Sequence, residues 1–151
     1  MPAATTRCGK ILLVEDSLKD ARLIREVLHE QGHHHELQVA RDGEQALRML
    51  RGEAPYADSP RPDLVLLDVN LPKLSGIEVL SCIKCDPALK QLPVLMLSTS
   101  RADRDVADSY ALHANGYLLK PHSYDAFAEL IELTLQFWLQ HNQLPPPPET
   151  P

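Results

Sequence analysis

Acidic, hydroxyl and basic residues recur in this chain on the carboxyl side of short apolar runs. Glu15 and Asp16 follow ILLV at 11–14, Asp68 follows LVLL at 64–67, Ser98 follows VLML at 94–97, and Lys120 follows YLL at 117–119. Three carboxylates gathered in one crevice repel at neutral pH, so they need either raised pKa values or a cation. A hard divalent ion answers that need: one or two carboxylates, a backbone carbonyl and waters suit Mg²⁺, which commonly works beside a phosphate group. Lys120 and the Ser98 hydroxyl then read as a clamp on phosphoryl oxygens, one a cation and the other a hydrogen-bond donor. Asp68 is the candidate acceptor, since a carboxylate can form an aspartyl phosphate.

These groups converge only if the apolar runs are strands of one parallel sheet. The runs are continuous rather than alternating, as expected of strands covered on both faces. A weaker fifth strand, ELQVA at 36–40, is interrupted by Gln38 and suits an edge. Helical patterns lie between the strands, with Ala21, Ile24, Val27 and Leu28 on one face, then Ala46, Leu47 and Leu50, then Ile77, Leu80 and Ile83. Ser17 with Asp20, Asp42 with Gln45, and Ser75 with Glu78 have the spacing of helix starts. Gly32, Asp86-Pro87 and Asn115-Gly116 supply stops. The alternation βαβαβαβαβα predicts an α/β fold, a three-layer α/β/α sandwich with right-handed crossovers. Ligands of such sheets bind at the carboxyl ends of the strands, where the polar residues lie.

The chain has 151 residues, 44% hydrophobic and 24% charged, which suits one domain with an ordinary core. Its parts read as an N-terminal extension at 1–9, a folded domain at 10–142 and a Pro-rich tail at 143–151. A three-proline loop spans 52–62, and LPPPPETP from Leu144 is expected to be polyproline-like or disordered. The formal charge of −6 disfavours nucleic acid and anionic lipid as partners. No apolar run approaches the roughly 20 residues of a membrane span, and no leader stands at the start, so a cytoplasmic protein is expected. Cys8, Cys82 and Cys85 are too few for a disulfide scaffold and fit a reduced compartment.

Taken together, VED at 14–16, LLDVNLPKLSG at 66–76, LST at 97–99 and GYLLKP at 116–121 make residues 10–141 resemble the receiver domain of two-component response regulators. The resemblance implies a flavodoxin-like fold of sheet order 2-1-3-4-5. It makes Glu15 and Asp16 the acidic pair around Mg²⁺, Asp68 the phosphorylated residue, and Asn70 the donor of a backbone carbonyl to the metal. Ser98 and Lys120 would bind the phosphoryl group, Tyr117 would be the inward-turning aromatic switch, and Lys120-Pro121 a cis peptide. His122 departs from the Phe that often follows this Lys-Pro. YADSPRPDL at 56–64, DPALKQLPVLMLSTS at 86–100 and FWLQHNQLPP at 137–146 resemble the regulators of bacterial and cyanobacterial phytochromes. The implied partner is a phytochrome histidine kinase, and the implied chain is a single-domain regulator without a DNA-binding output, not an enzyme for an external metabolite.

Other residues have simpler readings. Cys82 and Cys85, a lone pair in a helix, are poor evidence for zinc. His33, His34 and His35 read as a solvated cluster, and Asp103, Asp105 and Asp108 as acids near a helix N-terminus. In the last helix, Leu133, Phe137, Trp138 and Leu139 carry apolar character beyond one stripe, so a homodimer through that helix competes with a helix folding back on its own domain. The functional alternatives are a phosphate sink for the kinase, a haloacid-dehalogenase-like aspartyl phosphatase and a flavodoxin-like carrier. Asn70 stands where that phosphatase needs a second Asp, and Glu15 and Asp16 would repel a flavin phosphate.

Overall fold

The computed structural model describes residues 9–30 and 35–146. In chain order the elements are β1 (Lys10–Val14), α1 (Leu18–Glu30), β2 (Glu36–Ala40), α2 (Gly43–Arg51), β3 (Leu64–Asp68), α3 (Gly76–Cys85), β4 (Val94–Ser98), α4 (Asp103–Ala111), β5 (Gly116–Leu119) and α5 (Tyr124–Gln136), followed by a π-helical turn at Phe137–His141. The strands form one parallel sheet of order β2-β1-β3-β4-β5, the order that the resemblance implies. Register aligns Val14 with Leu67, Asp68 with Leu97, and Ser98 with Leu119, so the strand ends carrying Glu15, Asp68, Ser98 and Lys120 share one edge.

Successive strand residues enter opposite cores, which is why the runs read as continuously apolar. Leu12, Val14, Val65, Leu67, Val94 and Met96 pack with buried residues of α2 and α3, including Ala46, Leu80 and Ile83. Ile11, Leu13, Leu64, Leu66, Leu95 and Leu97 pack with Ile24 and Val27 of α1 and Phe127, Ile131 and Leu135 of α5. Strand β2 lies at an edge and is only half-buried over Leu37, Gln38 and Val39. No helix among the described residues is long and apolar enough to cross a membrane.

The side chains of Ser17, Asp42 and Ser75 accept hydrogen bonds from the N–H groups of Asp20, Gln45 and Glu78, as their spacing predicts. Gln45 reaches back to the N–H of Arg41, one residue short of the cap, and Ser123 caps α5 by accepting from Ala126. Asp86 ends α3. The stop expected at Asn115-Gly116 comes earlier. Helix α4 ends at Ala111, His113 takes a left-handed φ of 70°, and Asn115 instead pins β4 by accepting from the Val94 N–H at 2.9 Å. The stop expected at Gly32, with Cys8, His33 and His34, lies outside the described residues.

Lys120-Pro121 is trans, not cis; among the described residues the cis bond is Ala54-Pro55. Trans is the intrinsically preferred isomer even before proline, and in it the Lys120 ammonium still reaches the carboxylate cluster. The loop at 52–62 packs on α2, where the Tyr56 hydroxyl accepts from Gln45 Nε2 at 3.0 Å. At the other end of the chain, the π turn closes with the Asn142 N–H on the Phe137 carbonyl at 2.7 Å. Its wider winding keeps Leu139 beneath the stripe of Phe127, Ile131 and Leu135, and Leu144 packs into the same core. Leu133 and Phe137 stay exposed.

Candidate functional site

Glu15 is buried directly beyond β1. Its N–H donates to the Ala40 carbonyl, its Oε1 accepts from the Ser17 N–H at 3.0 Å, and its Oε2 accepts from Lys120 Nζ at 2.6 Å. Asp68 ends β3, also buried; Oδ1 accepts the Asn70 N–H at 2.9 Å and Oδ2 accepts from Lys120 Nζ at 3.0 Å. Asp16 is exposed beside them. Carboxylate oxygens of Glu15, Asp16 and Asp68 lie within 4.8 Å of one another, and this trio can hold a metal ion. An all-oxygen, strongly anionic donor set of this kind fits a hard divalent cation.

The close approach of β3 and α3 depends on Gly76. A Cβ there would lie 2.1 Å from the Asp68 carbonyl oxygen and 2.7 Å from Val69 Cα. The glycine's N–H donates to the Val69 carbonyl, folding the loop that carries Asn70 back over the strand end. The LPKLSG stretch therefore serves to bring α3 against the backbone of the candidate acceptor.

Burial raises the Glu15 carboxyl to about 7; the hydrogen bond from Lys120 works against this, and the neighbouring Asp68 adds to it. Lys120 responds oppositely. Burial lowers its pKa, but the hydrogen bond and charge of Glu15, with Asp68 and Asp20, more than reverse that and hold the ammonium above its ordinary range. The third partner, Asp20 on α1, accepts from Nζ at 3.0 Å. Sequence spacing marks Asp20 only as a helix-start acid; the signal missed is that its helix begins beside the carboxyl end of β5.

Ser98 ends β4 and is 1% exposed. Its hydroxyl oxygen accepts the Ser100 N–H at 3.0 Å, which leaves its own hydrogen to donate. Half-buried Tyr117 packs against the core formed with α2 and α3, and its hydroxyl donates to the Ser100 carbonyl at 3.0 Å. The Ser100 hydroxyl in turn donates to Asp105 Oδ2 at 2.6 Å, so Asp105 is more than a solvated helix acid. Ser98 and Tyr117 thus both hold the β4–α4 loop. His122 is exposed on the rim of a neighbouring cleft, while Cys82 is half-buried and Cys85 exposed, both as free thiols.

A parallel β2-β1-β3-β4-β5 sheet with a lysine drawn into an acidic trio at its carboxyl edge defines a class of phosphoryl-accepting signalling domains. The response regulator receiver domain family matches residues 11–132, and the chain belongs to it. It is 47% identical over 135 residues to response regulator Rcp1 of Synechocystis, covering 89% of this chain and 92% of that protein. The Mn²⁺-bound structure of Rcp1 superposes with a TM-score of 0.87, covering 91% and 99% of the two chains. The phosphorylated cyanobacterial phytochrome response regulator RcpA is 45% identical over 93% of this chain and all of its own, with a TM-score of 0.90. The bacteriophytochrome response regulator AtBRR is 37% identical, covers 91% and 99%, and has a TM-score of 0.70. The chain is therefore a receiver-domain response regulator related to phytochrome response regulators, with a phosphoryl-accepting role in two-component signalling.

Proposed function

We propose that Asp68 is the phosphoryl acceptor, with Glu15, Asp16, Asp68 and the backbone carbonyl of Asn70 as the holders of Mg²⁺. The observation that carries this reading is the Lys120 ammonium, 3.0 Å from Asp68 Oδ2 at the edge where the acidic trio gathers. When bound, the cation would offset negative charge between the carboxylates and the incoming phosphoryl oxygens. An Asp68 oxygen attacks phosphorus, the bond from phosphorus to the donor atom breaks, and the electron pair leaves with the donor, which takes a proton from solvent. Lys120 and the Ser98 hydroxyl receive the phosphoryl oxygens. In hydrolysis water attacks phosphorus, the bond from phosphorus to the Asp68 oxygen breaks, and inorganic phosphate leaves with the carboxylate restored, so the chain makes and clears its own acylphosphate rather than turning over a metabolite.

In this reading Ser98 moves toward the phosphoryl group and carries the Ser100 loop with it. That shift reaches Tyr117 through its bond to the Ser100 carbonyl and biases the face of α4, β5 and α5 between two states. The donor is a phytochrome histidine kinase in a cytoplasmic setting, supported by the likeness to RcpA, Rcp1 and AtBRR. The output is a conformation delivered to a target; the alternative use of the same chemistry is to drain phosphate from the kinase.

With Mg²⁺ and either acetyl phosphate or phosphorylated kinase, wild type should gain one alkali-labile phosphoryl group, and Asp68→Asn should gain none at that position. Equal labelling of the variant, located by mass spectrometry, overturns the assignment. The reading also includes a two-fold homodimer through the last helix, whose exposed Leu133 and Phe137 form an apolar pair one turn apart. Trp138, half-buried against its own core and 5.8 Å from the Phe137 ring, would support that pair from behind. A Leu133→Asp, Phe137→Asp variant should sediment as a monomer where wild type is dimeric; a wild type that is monomeric at high micromolar concentration, phosphorylated or not, removes the dimer.

A further inference from the structure

Lys120 has three N–H donors, and each meets a carboxylate oxygen from a different segment: Glu15 beyond β1 at 2.6 Å, Asp68 ending β3 at 3.0 Å, and Asp20 in the first turn of α1 at 3.0 Å. Two of these partners have a second task. Glu15 and Asp68, with Asp16, form the trio suited to a cation, and Asp68 is the proposed acceptor. A cation or a phosphoryl group bound by either carboxylate competes with the ammonium for the same negative charge and weakens that partner's hold on Lys120. Asp20 stands outside the trio, and among the described residues the side chain that donates to its carboxylate is Lys120.

We propose that Asp20 is a positioning residue, which holds the Lys120 ammonium at the mouth of the site while its other two partners are taken up by the cation and the phosphoryl group. This rests on the reading of Asp68 as acceptor. The local structure is suited to the task. The Ser17 N–H donates to Glu15 Oε1, and the Ser17 hydroxyl oxygen accepts from the Asp20 N–H at 3.2 Å, so one turn of chain sets both acids. Asp20 and Lys120 also line a cleft of about 180 Å³ with Thr99 and Pro121. The Asp20 side chain is 22% exposed against 8% for Lys120, so solvent reaches the carboxylate while the ammonium stays enclosed. Asp20 can therefore follow a small movement of the amine. Without it, the ammonium is drawn toward Glu15 and Asp68, onto the oxygens that the cation and phosphorus need.

The test measures Asp68 labelling by acetyl phosphate with Mg²⁺, with urea unfolding confirming that each variant is folded. Asp20→Ala should slow labelling about tenfold, and Asp20→Asn, whose side-chain oxygen still accepts, should stay within about threefold of wild type. A simple loss of charge would move both variants alike and overturns the proposal. In a Lys120→Gln background, Asp20→Ala should cost nothing further; an equal loss there shows that Asp20 does not act through Lys120. A readout besides labelling is NMR of the Lys120 ammonium in saturating Mg²⁺ without phosphate. Its Nζ protons should be protected from exchange in wild type and exchange faster in Asp20→Ala, and unchanged signals overturn the proposal. Asp68→Asn run in parallel separates the two failures: labelling that persists in it sinks the acceptor reading, whereas normal labelling of Asp20→Ala with none in Asp68→Asn sinks only the role of Asp20.

Discussion

Helices α3 and α4 each follow a strand that ends in a candidate site residue, yet they are attached to the sheet in opposite ways. Helix α3 buries Gly76, Val79, Leu80 and Ile83 and begins under the Ser75 cap. From its last turn, the Lys84 ammonium donates to the carbonyls of Lys90 and Leu92 and to Asn115 Oδ1, tying α3 to the start of β4. Helix α4 buries only Ser109, and Ala102, which precedes its first residue, supplies no side-chain cap. Its first turn is held largely by the Ser100 hydroxyl on Asp105. The difference teaches where rigidity is placed. The candidate acceptor Asp68 sits against a packed helix, and the segment beyond Ser98 is held by a few polar bonds, the kind of attachment that opens at low free-energy cost.

The largest effect that can break this comparison is on packing. Leu80→Ala should lower unfolding stability by about 2–5 kcal/mol, through lost transfer energy and a residual cavity. Tyr110→Ala, on the exposed face of α4, should stay within about 0.5 kcal/mol. Urea denaturation measures both, and equal losses would mean that α4 is anchored as firmly as α3.

A smaller effect concerns the charge held on the rigid side. The Glu15 carboxyl lies at about 7 in the folded protein against 4.5 for the ordinary group. Between those values the native state binds more protons than the unfolded chain, so metal-free protein should lose stability as pH rises through this window. The Glu15 share is on the order of 3 kcal/mol and levels off above the folded value. Urea unfolding in chelator at stepped pH should show that Glu15→Gln flattens the slope; an unaltered slope places the titration elsewhere.

The smallest expected effect is the sharpest test of local looseness. Ser100→Ala removes the bond to Asp105 and should cost about 1 kcal/mol or less overall. Amide exchange over Asp103–Ala111 should nevertheless quicken by about fivefold while Gly76–Cys85 is unchanged. A uniform acceleration would show that the two helices open together.

Much of the candidate site was legible because its residues lie at the ends of apolar runs, and a parallel sheet brings like ends together. Glu15, Asp16, Asp68, Ser98 and Lys120 were found this way, and the register places them along one edge. Asp20 was not, because an acid in a first turn is what any helix favours. The last helix shows the same limit: Leu133, Phe137, Trp138 and Leu139 exceed one stripe, and a helical wheel cannot anticipate a π turn that returns Leu139 to the core.

The strands, their common direction and the polar residues at their ends are legible in the sequence, because burial on both faces and cap chemistry are written in near neighbours. Which acids share the ammonium is set by packing between distant segments. Its partners lie 105, 100 and 52 residues away along the chain, and their 2.6 and 3.0 Å contacts depend on how the ends of β1, β3 and β5 and the first turn of α1 come together. Docking of that kind is set by side-chain volumes summed over the whole core, which no local pattern records.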